Sequence, residues 1–156
     1  MQQSEILNKI TQKFPKIEET KCLEGSFKDY TLAIQVNADE ILPICEFLKT
    51  NEELCFDSLM CLSGVDLKDY MKVVYHLYSY KHNHKLTINV VLNHDNSVVN
   101  SVSRIWKTAN WHEREVYDLL GIKFEGHPDL RRILLPQDWV GHPLRKDYVH
   151  TPDQYD

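Results

Sequence analysis

Two identical Gly-His-Pro triplets, Gly126-His127-Pro128 and Gly141-His142-Pro143, place a pair of histidines 15 residues apart in a chain of 156. Imidazole is the commonest metal-ligating side chain, so the pair raises metal binding, with Asp129 or Asp138 as a further ligand. Zinc takes four ligands in structural sites and three plus water in catalytic ones, with paired histidines usually about three to five residues apart. The spacing here is wider, and no cysteine lies in this region to complete a set. The residues fit a pair of Gly-x-Pro turns whose imidazoles bond backbone groups.

A second cluster lies just upstream. His112 and Glu115 are three apart, as are Glu115 and Asp118, which makes one half of a helical di-metal carboxylate pattern. Such a site needs a second Glu-x-x-His helix and two further glutamates, and the chain offers no equivalent. Arg114 and Asp118, at i and i+4, more simply form a surface ion pair or a partner contact. A freestanding metal-dependent enzyme would have to combine His112, Glu115, His127 and His142. Nucleophilic catalysis needs Ser or Cys beside a His base; no Gly-x-Ser-x-Gly elbow occurs, and the cysteines sit among apolar residues. Gly25, Gly64, Gly121, Gly126 and Gly141 never approach a phosphate-binding Gly-rich loop. His76, His82 and His84 surround what reads as a polar hairpin turn.

The C-terminal stretch says more about contact than about chemistry. All five arginines (Arg104, Arg114, Arg131, Arg132, Arg145) and all three tryptophans (Trp106, Trp111, Trp139) follow residue 103. Pro128, Pro136, Pro143 and Pro152 forbid a continuous helix and favour turned or extended backbone. A structureless segment of 32 residues, 125–156, is long for a loop. It is too rich in Leu130, Ile133, Leu134, Leu135, Trp139, Val140, Leu144 and Tyr148 for a solvated tail. Trp, Tyr and Arg are the types enriched at interface hot spots. The expectation is a tail that lies on another protein, with folding back on its own domain and disorder as the alternatives.

The elements that must carry these residues follow from periodicity. Ser4 caps a short helix with Ile6, Leu7, Ile10 and Phe14 on one face, stopped at Pro15. Tyr30, Leu32, Ile34 and Val36 alternate as a half-buried strand. A helix from Asn37 or Asp39 carries Ile41, Leu42, Cys45 and Leu48. Leu59–Val65 reads as a buried strand, and Met71–Tyr80 pairs with the strand from Leu86 as a hairpin. Val102, Ile105, Trp106 and Ala109 have helical spacing. Asn110 with Glu113 resembles a cap for a following helix, which Gly121 ends. The fold class is α+β: a small, mostly antiparallel sheet of three or four strands with packed helices. The expected division is a globular domain over 1–124 and a long extended partner-binding tail over 125–156.

Bulk properties narrow the function further. A hydrophobic fraction of 42% and a charged fraction of 26% are those of a soluble globular protein. The formal charge of −5 lacks the basic face that a nucleic-acid binder requires. Cys22, Cys45, Cys55 and Cys61 show no Cys-x-x-Cys spacing, so reduced thiols in a cytosolic compartment are expected. No secretory signal opens the sequence, and no apolar run reaches the roughly 18–20 residues that span a bilayer. Any membrane association is expected to come through a partner.

Four stretches carry a family resemblance. Glu113-Arg-Glu-Val-Tyr-Asp-Leu-Leu-Gly-Ile, Gly126-His-Pro-Asp-Leu-Arg-Arg-Ile-Leu-Leu-Pro, Asp138-Trp and Gly141-His-Pro-Leu-Arg-Lys-Asp-Tyr resemble the signature of the 30 kDa-type subunit of proton-pumping NADH:quinone oxidoreductase (respiratory complex I). Phe56-Asp57 and Gly64-Val65-Asp66 resemble the family more loosely. Val149 stands where the family often has Pro after Lys-Asp-Tyr. The resemblance implies a non-catalytic structural subunit of the peripheral arm, on the cytoplasmic side of the inner membrane or its organelle equivalent. FMN and iron–sulfur clusters then belong to partner subunits, and this chain holds no cofactor or metal. It implies binding to the larger subunit that helps form the quinone cavity, and to neighbouring peripheral-arm subunits. Glu113, Arg114, Glu115 and Asp118 would order the junction between domain and tail. Arg131, Arg132 and Arg145 would meet partner carboxylates or carbonyls, Leu134 and Trp139 would fill apolar notches, and His127 and His142 would belong to the same partner-binding stretch. The equivalent subunit of a membrane-bound hydrogenase or a ferredoxin:plastoquinone reductase is the neighbouring alternative.

Overall fold

The structure, a computed structural model, describes residues 2–20 and 32–150. Cys22, Gly25, Tyr30 and Pro152 lie outside the described residues. Helix α1 spans Gln3–Lys13 and opens two residues earlier than a Ser4 cap would have it. The Glu5 carboxylate reaches back to accept the Gln2 backbone N–H at 3.0 Å, which satisfies an otherwise orphaned donor. Strand β1 (Glu18–Thr20) is followed by β2 (Leu32–Val36), a 3-10 turn over Ala38–Glu40 and helix α2 (Ile41–Thr50). Pro43 sits in the first turn of α2, where its missing N–H costs nothing.

Strands β4 (Tyr70–Ser79) and β5 (His84–Asn93) form the expected hairpin, and β3 (Ser58–Asp66), read as a buried strand, pairs with β4 to extend it into a meander. They join β1 and β2 in a five-stranded sheet of order β1-β2-β5-β4-β3. All pairs are antiparallel except β2 with β5, which run parallel. The register stacks Leu32, Ile34 and Val36 beside Leu86, Ile88 and Val90, which oppose Leu77, Tyr75 and Val73. These side chains share one core with Ile6 and Ile10 of α1 and with Ile41, Ile44 and Leu48 of α2. A separate parallel pair, β6 (Val98–Asn100) with β7 (Lys123–Glu125), has no counterpart in the sequence reading, because three-residue strands carry no readable period.

The helix expected from Val102, Ile105, Trp106 and Ala109 is corrected. The chain makes isolated turns there, with Trp106 N–H bonding Val102 O at 3.0 Å, although all four side chains are buried. Contacts from outside the segment hold these turns: the Glu113 carboxylate accepts Val102 N–H at 2.8 Å, and Phe56 O accepts Trp106 Nε1–H at 3.1 Å. Helix α3 begins at Ala109, runs to Leu120 and ends on Gly121 in the left-handed conformation, φ 76°. Thr108 rather than Asn110 precedes it, and Glu113 turns inward instead of capping. α3 packs on β3. Gly64 permits this approach: a Cβ there would lie 2.6 Å from Leu120 Cδ1 and 2.8 Å from Val116 Cγ1.

Candidate functional site

Every helix leaves its last carbonyls without intrahelical donors. In α3 these groups gather the C-terminal strap, residues 126–150. Tyr117 O accepts Gly121 N–H at 2.9 Å, and Leu119 O accepts Leu144 N–H at 3.0 Å. Asp118 O accepts Arg132 Nη1–H at 3.0 Å and His142 Nδ1–H at 2.9 Å. A guanidinium at the negative end of the helix dipole is favourably placed.

The Asp118 side chain is the centre of this latch and is fully buried. Its Oδ2 accepts three successive backbone N–H groups, from Ile133 at 3.0 Å, Leu134 at 2.8 Å and Leu135 at 2.9 Å. Its Oδ1 accepts Arg132 Nη1–H at 2.7 Å. Arg132 then donates Nη2–H to Trp139 O at 2.9 Å and Gly141 O at 2.8 Å, so its planar fork closes a loop of the strap. Burial opposes ionisation of Asp118. The Leu135, Ile133 and Leu134 N–H groups and Arg132 outweigh it and hold the carboxyl below its ordinary range. Arg114 does not pair with Asp118, as its i+4 spacing predicted. It donates to Arg131 O and Arg132 O, each at 3.2 Å, and lies over the Trp111 ring at 5.2 Å.

Glu113 forms a second, drier node. Its buried carboxylate accepts Ser101 Oγ–H at 2.6 Å and Val102 N–H at 2.8 Å. Burial pushes it up to about 7, against the lowering effect of those two bonds. His127 Nε2 lies 3.9 Å away but donates to Asn110 O at 3.1 Å, while its Nδ1 accepts Asp129 N–H at 3.0 Å. Both triplet histidines therefore bond a backbone carbonyl of α3, as turn histidines do. His142 also packs against Gly121, where a Cβ would lie 2.7 Å from its Cδ2.

A third node pins the end of the strap. The buried Asp66 carboxylate accepts Lys68 N–H and Lys146 N–H, each at 2.8 Å, and His94 Nε2–H at 3.3 Å. Arg145 donates to His94 Nδ1 at 3.2 Å and to Asp147 at 2.9 and 3.1 Å. Asp66, His94 and Asp147 are, among the described residues, the one group whose ligand atoms converge as a metal site would require. The Arg145 guanidinium already supplies the positive charge there. The metal candidates read from sequence do not converge: Glu115 is exposed, whereas Asp118 is buried in the latch.

Through Tyr148 this stretch bonds its own globule, the folding-back alternative to lying on another protein. The physical reason is the supply of acceptors on its own globule: two buried carboxylates and the free carbonyl end of α3. Arg114, Arg132, His127 and His142 spend their donors within the chain, and Arg131 and Arg145 each hold a local aspartate, Asp129 and Asp147. Trp139 is half-buried under the Arg132 loop. The latch leaves four apolar side chains outside, Leu134, Val140, Leu144 and Val149, each 60% or more exposed, among the exposed polar residues Asp129, Arg131, Gln137, Asp138, Lys146 and Asp147. Ser101 and His94 join the site without having been named by sequence, whereas Asp66 and Lys146 lay within the Gly64-Val65-Asp66 and Gly141–Tyr148 stretches.

An α+β domain with a C-terminal strap latched to one helix and one strand is the class that fold and site define. A family model for the 30 Kd subunit of respiratory-chain NADH dehydrogenase matches residues 34–154, and the chain belongs to that family. It is 42% identical over 151 residues to an NADH-quinone oxidoreductase subunit of Geotalea uraniireducens, covering 94% of this chain and 88% of the relative. It is 52% identical over 114 residues to the same subunit of Chloroherpeton thalassium, covering 72% of this chain and 48% of that longer relative. A solved structure of a trypsin-resistant fragment (1-134) of Nqo5 superposes with a TM-score of 0.63 at 27% identity, over 83% of this chain and 100% of that one. A chain of an archaeal membrane-bound sulfane sulfur reductase complex shares the fold, with a TM-score of 0.71 at 22% identity over 98% of this chain and 94% of that one. No helix among the described residues is long and apolar enough to cross a membrane.

Proposed function

We propose that this chain is a non-catalytic structural subunit of NADH:quinone oxidoreductase, held in the peripheral arm on the cytoplasmic side of the membrane. In this reading the complex passes electrons from NADH through FMN and iron–sulfur clusters to quinone and couples this to proton translocation. The flavin and clusters reside in other subunits. The chain binds and braces the larger subunit that helps form the quinone cavity.

One observation carries the reading beyond family membership. The latch ties Arg132 and the N–H groups of Ile133, Leu134 and Leu135 to Asp118 and turns Leu134, Val140, Leu144 and Val149 outward. A prefolded strap that presents four apolar side chains loses little conformational entropy on docking, which favours a permanent scaffold contact. Support also comes from His127, Glu113 and Asp118 of the motif, whose side chains bond backbone groups and neighbouring side chains of this chain.

The test is affinity purification of the tagged full chain from membranes, with identification of co-purifying subunits and assay of NADH-dependent quinone reduction. Recovery of the quinone-site subunit and of the activity is expected. Recovery of the chain alone, or with hydrogenase subunits, would refute the assignment.

A further inference from the structure

The turns preceding α3, the start of that helix and the first Gly-His-Pro triplet border a concave surface of about 370 Å³, lined by Arg104, Lys107, Asn110, Trp111, Gly126 and Pro128. No acidic side chain lines it. Arg104 and Lys107 are exposed, and no ion pair of the described residues includes either. This is a local charge of two positives on a chain of formal charge −5.

Trp111 forms the apolar wall, with 63% of its surface open to solvent. Its ring is braced by the Arg114 guanidinium at 5.2 Å, which the strap carbonyls of Arg131 and Arg132 hold in turn. A braced, exposed tryptophan beside two cations has the composition of an interface hot spot. His127 faces inward to Asn110 O, so the turn presents only Gly126 and Pro128 to the groove and leaves room for an incoming chain.

We propose that this groove docks an acidic segment of a neighbouring subunit, with an Asp or Glu carboxylate between Arg104 and Lys107 and an apolar side chain against Trp111. The proposal rests on the reading of the chain as a subunit of a larger complex. Charge complementarity selects the occupant. Two cations match one or two carboxylates, whereas a polynucleotide is held by an extended basic face that this chain lacks.

The experiment compares amine acetylation of Lys107 in the intact membrane-extracted complex and in the full chain alone, read by mass spectrometry. Lys81, exposed at the hairpin turn, is the internal control. Lys107 should be at least tenfold less modified in the complex while Lys81 changes little. Carbodiimide should then couple the Lys107 amine to a carboxylate of another subunit, and the R104E variant, which keeps that amine, should form at least fivefold less of the product. Equal modification in the two states overturns the groove while leaving the subunit assignment intact, provided the chain still co-purifies. Coupling only to acids of this chain, or protection abolished by nuclease or by delipidation, also overturns it. Failure of the chain to co-purify with any complex removes both proposals.

Discussion

Asp118→Asn tests the latch where its chemistry is most concentrated. The substitution keeps volume and shape but removes the charge and one of two acceptor oxygens. If the amide oxygen faces the N–H groups of Ile133, Leu134 and Leu135, its NH2 meets the Arg132 donor. If it faces Arg132, three backbone donors meet another donor. Either orientation leaves a nearly buried guanidinium, with 12% of its side chain exposed, lacking its counter-charge. Removing one partner of a buried pair costs about 3–5 kcal/mol, and the residual exposure of Arg132 places this case near the lower end, about 3 kcal/mol. At about 1.4 kcal/mol per tenfold change, that is roughly two decades in the opening equilibrium of the strap. Hydrogen exchange should therefore quicken about 100-fold at Ile133, Leu134 and Leu135, with β4 and β5 amides changed less than about threefold. Asp129→Asn, which disturbs only an exposed pair, should stay within about 0.5 kcal/mol of wild type. An Asp118→Asn effect below tenfold, or equal acceleration throughout the sheet, would refute the account of a local latch.

The remaining expectations concern the other nodes. The folded-state value of Glu113 is raised from 4.5 to about 7. Its contribution is therefore fully present below about pH 4.5 and is lost as pH rises through 7, on the order of 3 kcal/mol. Urea midpoints of Glu113→Gln should lack that decline between pH 5 and 8; an unchanged slope would exclude Glu113 as its source. Asp118 has the opposite sign, since its folded value is lowered: the strap should hold above the ordinary value of 3.8 and release as pH falls through the lowered one, seen as acid-induced exchange in 131–146. Gly64→Ala drives a methyl into Leu120 and Val116 and should cost about 1–3 kcal/mol of overpacking, read as a lower melting temperature by calorimetry. Gly121→Ala combines a left-handed backbone with a clash on His142 and should destabilise by at least about 1 kcal/mol, with the loss concentrated in the strap.

Much of the globule was legible because apolar residues repeat at the period of its elements. Leu86, Ile88 and Val90 alternate as a strand must, and Ile6 and Ile10 recur as one helix face must. Val102, Ile105, Trp106 and Ala109 mark the limit of that logic: the spacing identified four core residues correctly but assigned the wrong backbone. There the Glu113 carboxylate and Phe56 O hold Val102 N–H and Trp106 Nε1–H from outside the segment, contacts that spacing does not reveal. The parallel pairing of β2 with β5 was equally silent, since alternation says which face is buried and nothing about which strand lies alongside.

The strap shows the same division more sharply. Residue types alone determined that 125–150 contains arginines and apolar anchors that need partners, and its motif determined the family. Where those partners lie was decided by the fold. Asp66 is far from the strap in sequence, and both it and Asp118 meet the strap only after α3 has packed on β3. Hydrogen-bond donors pair with the nearest buried acceptor, and distance in space is not written in the order of residues. Chain order thus declared what the strap required, and tertiary packing chose the polypeptide that supplies it.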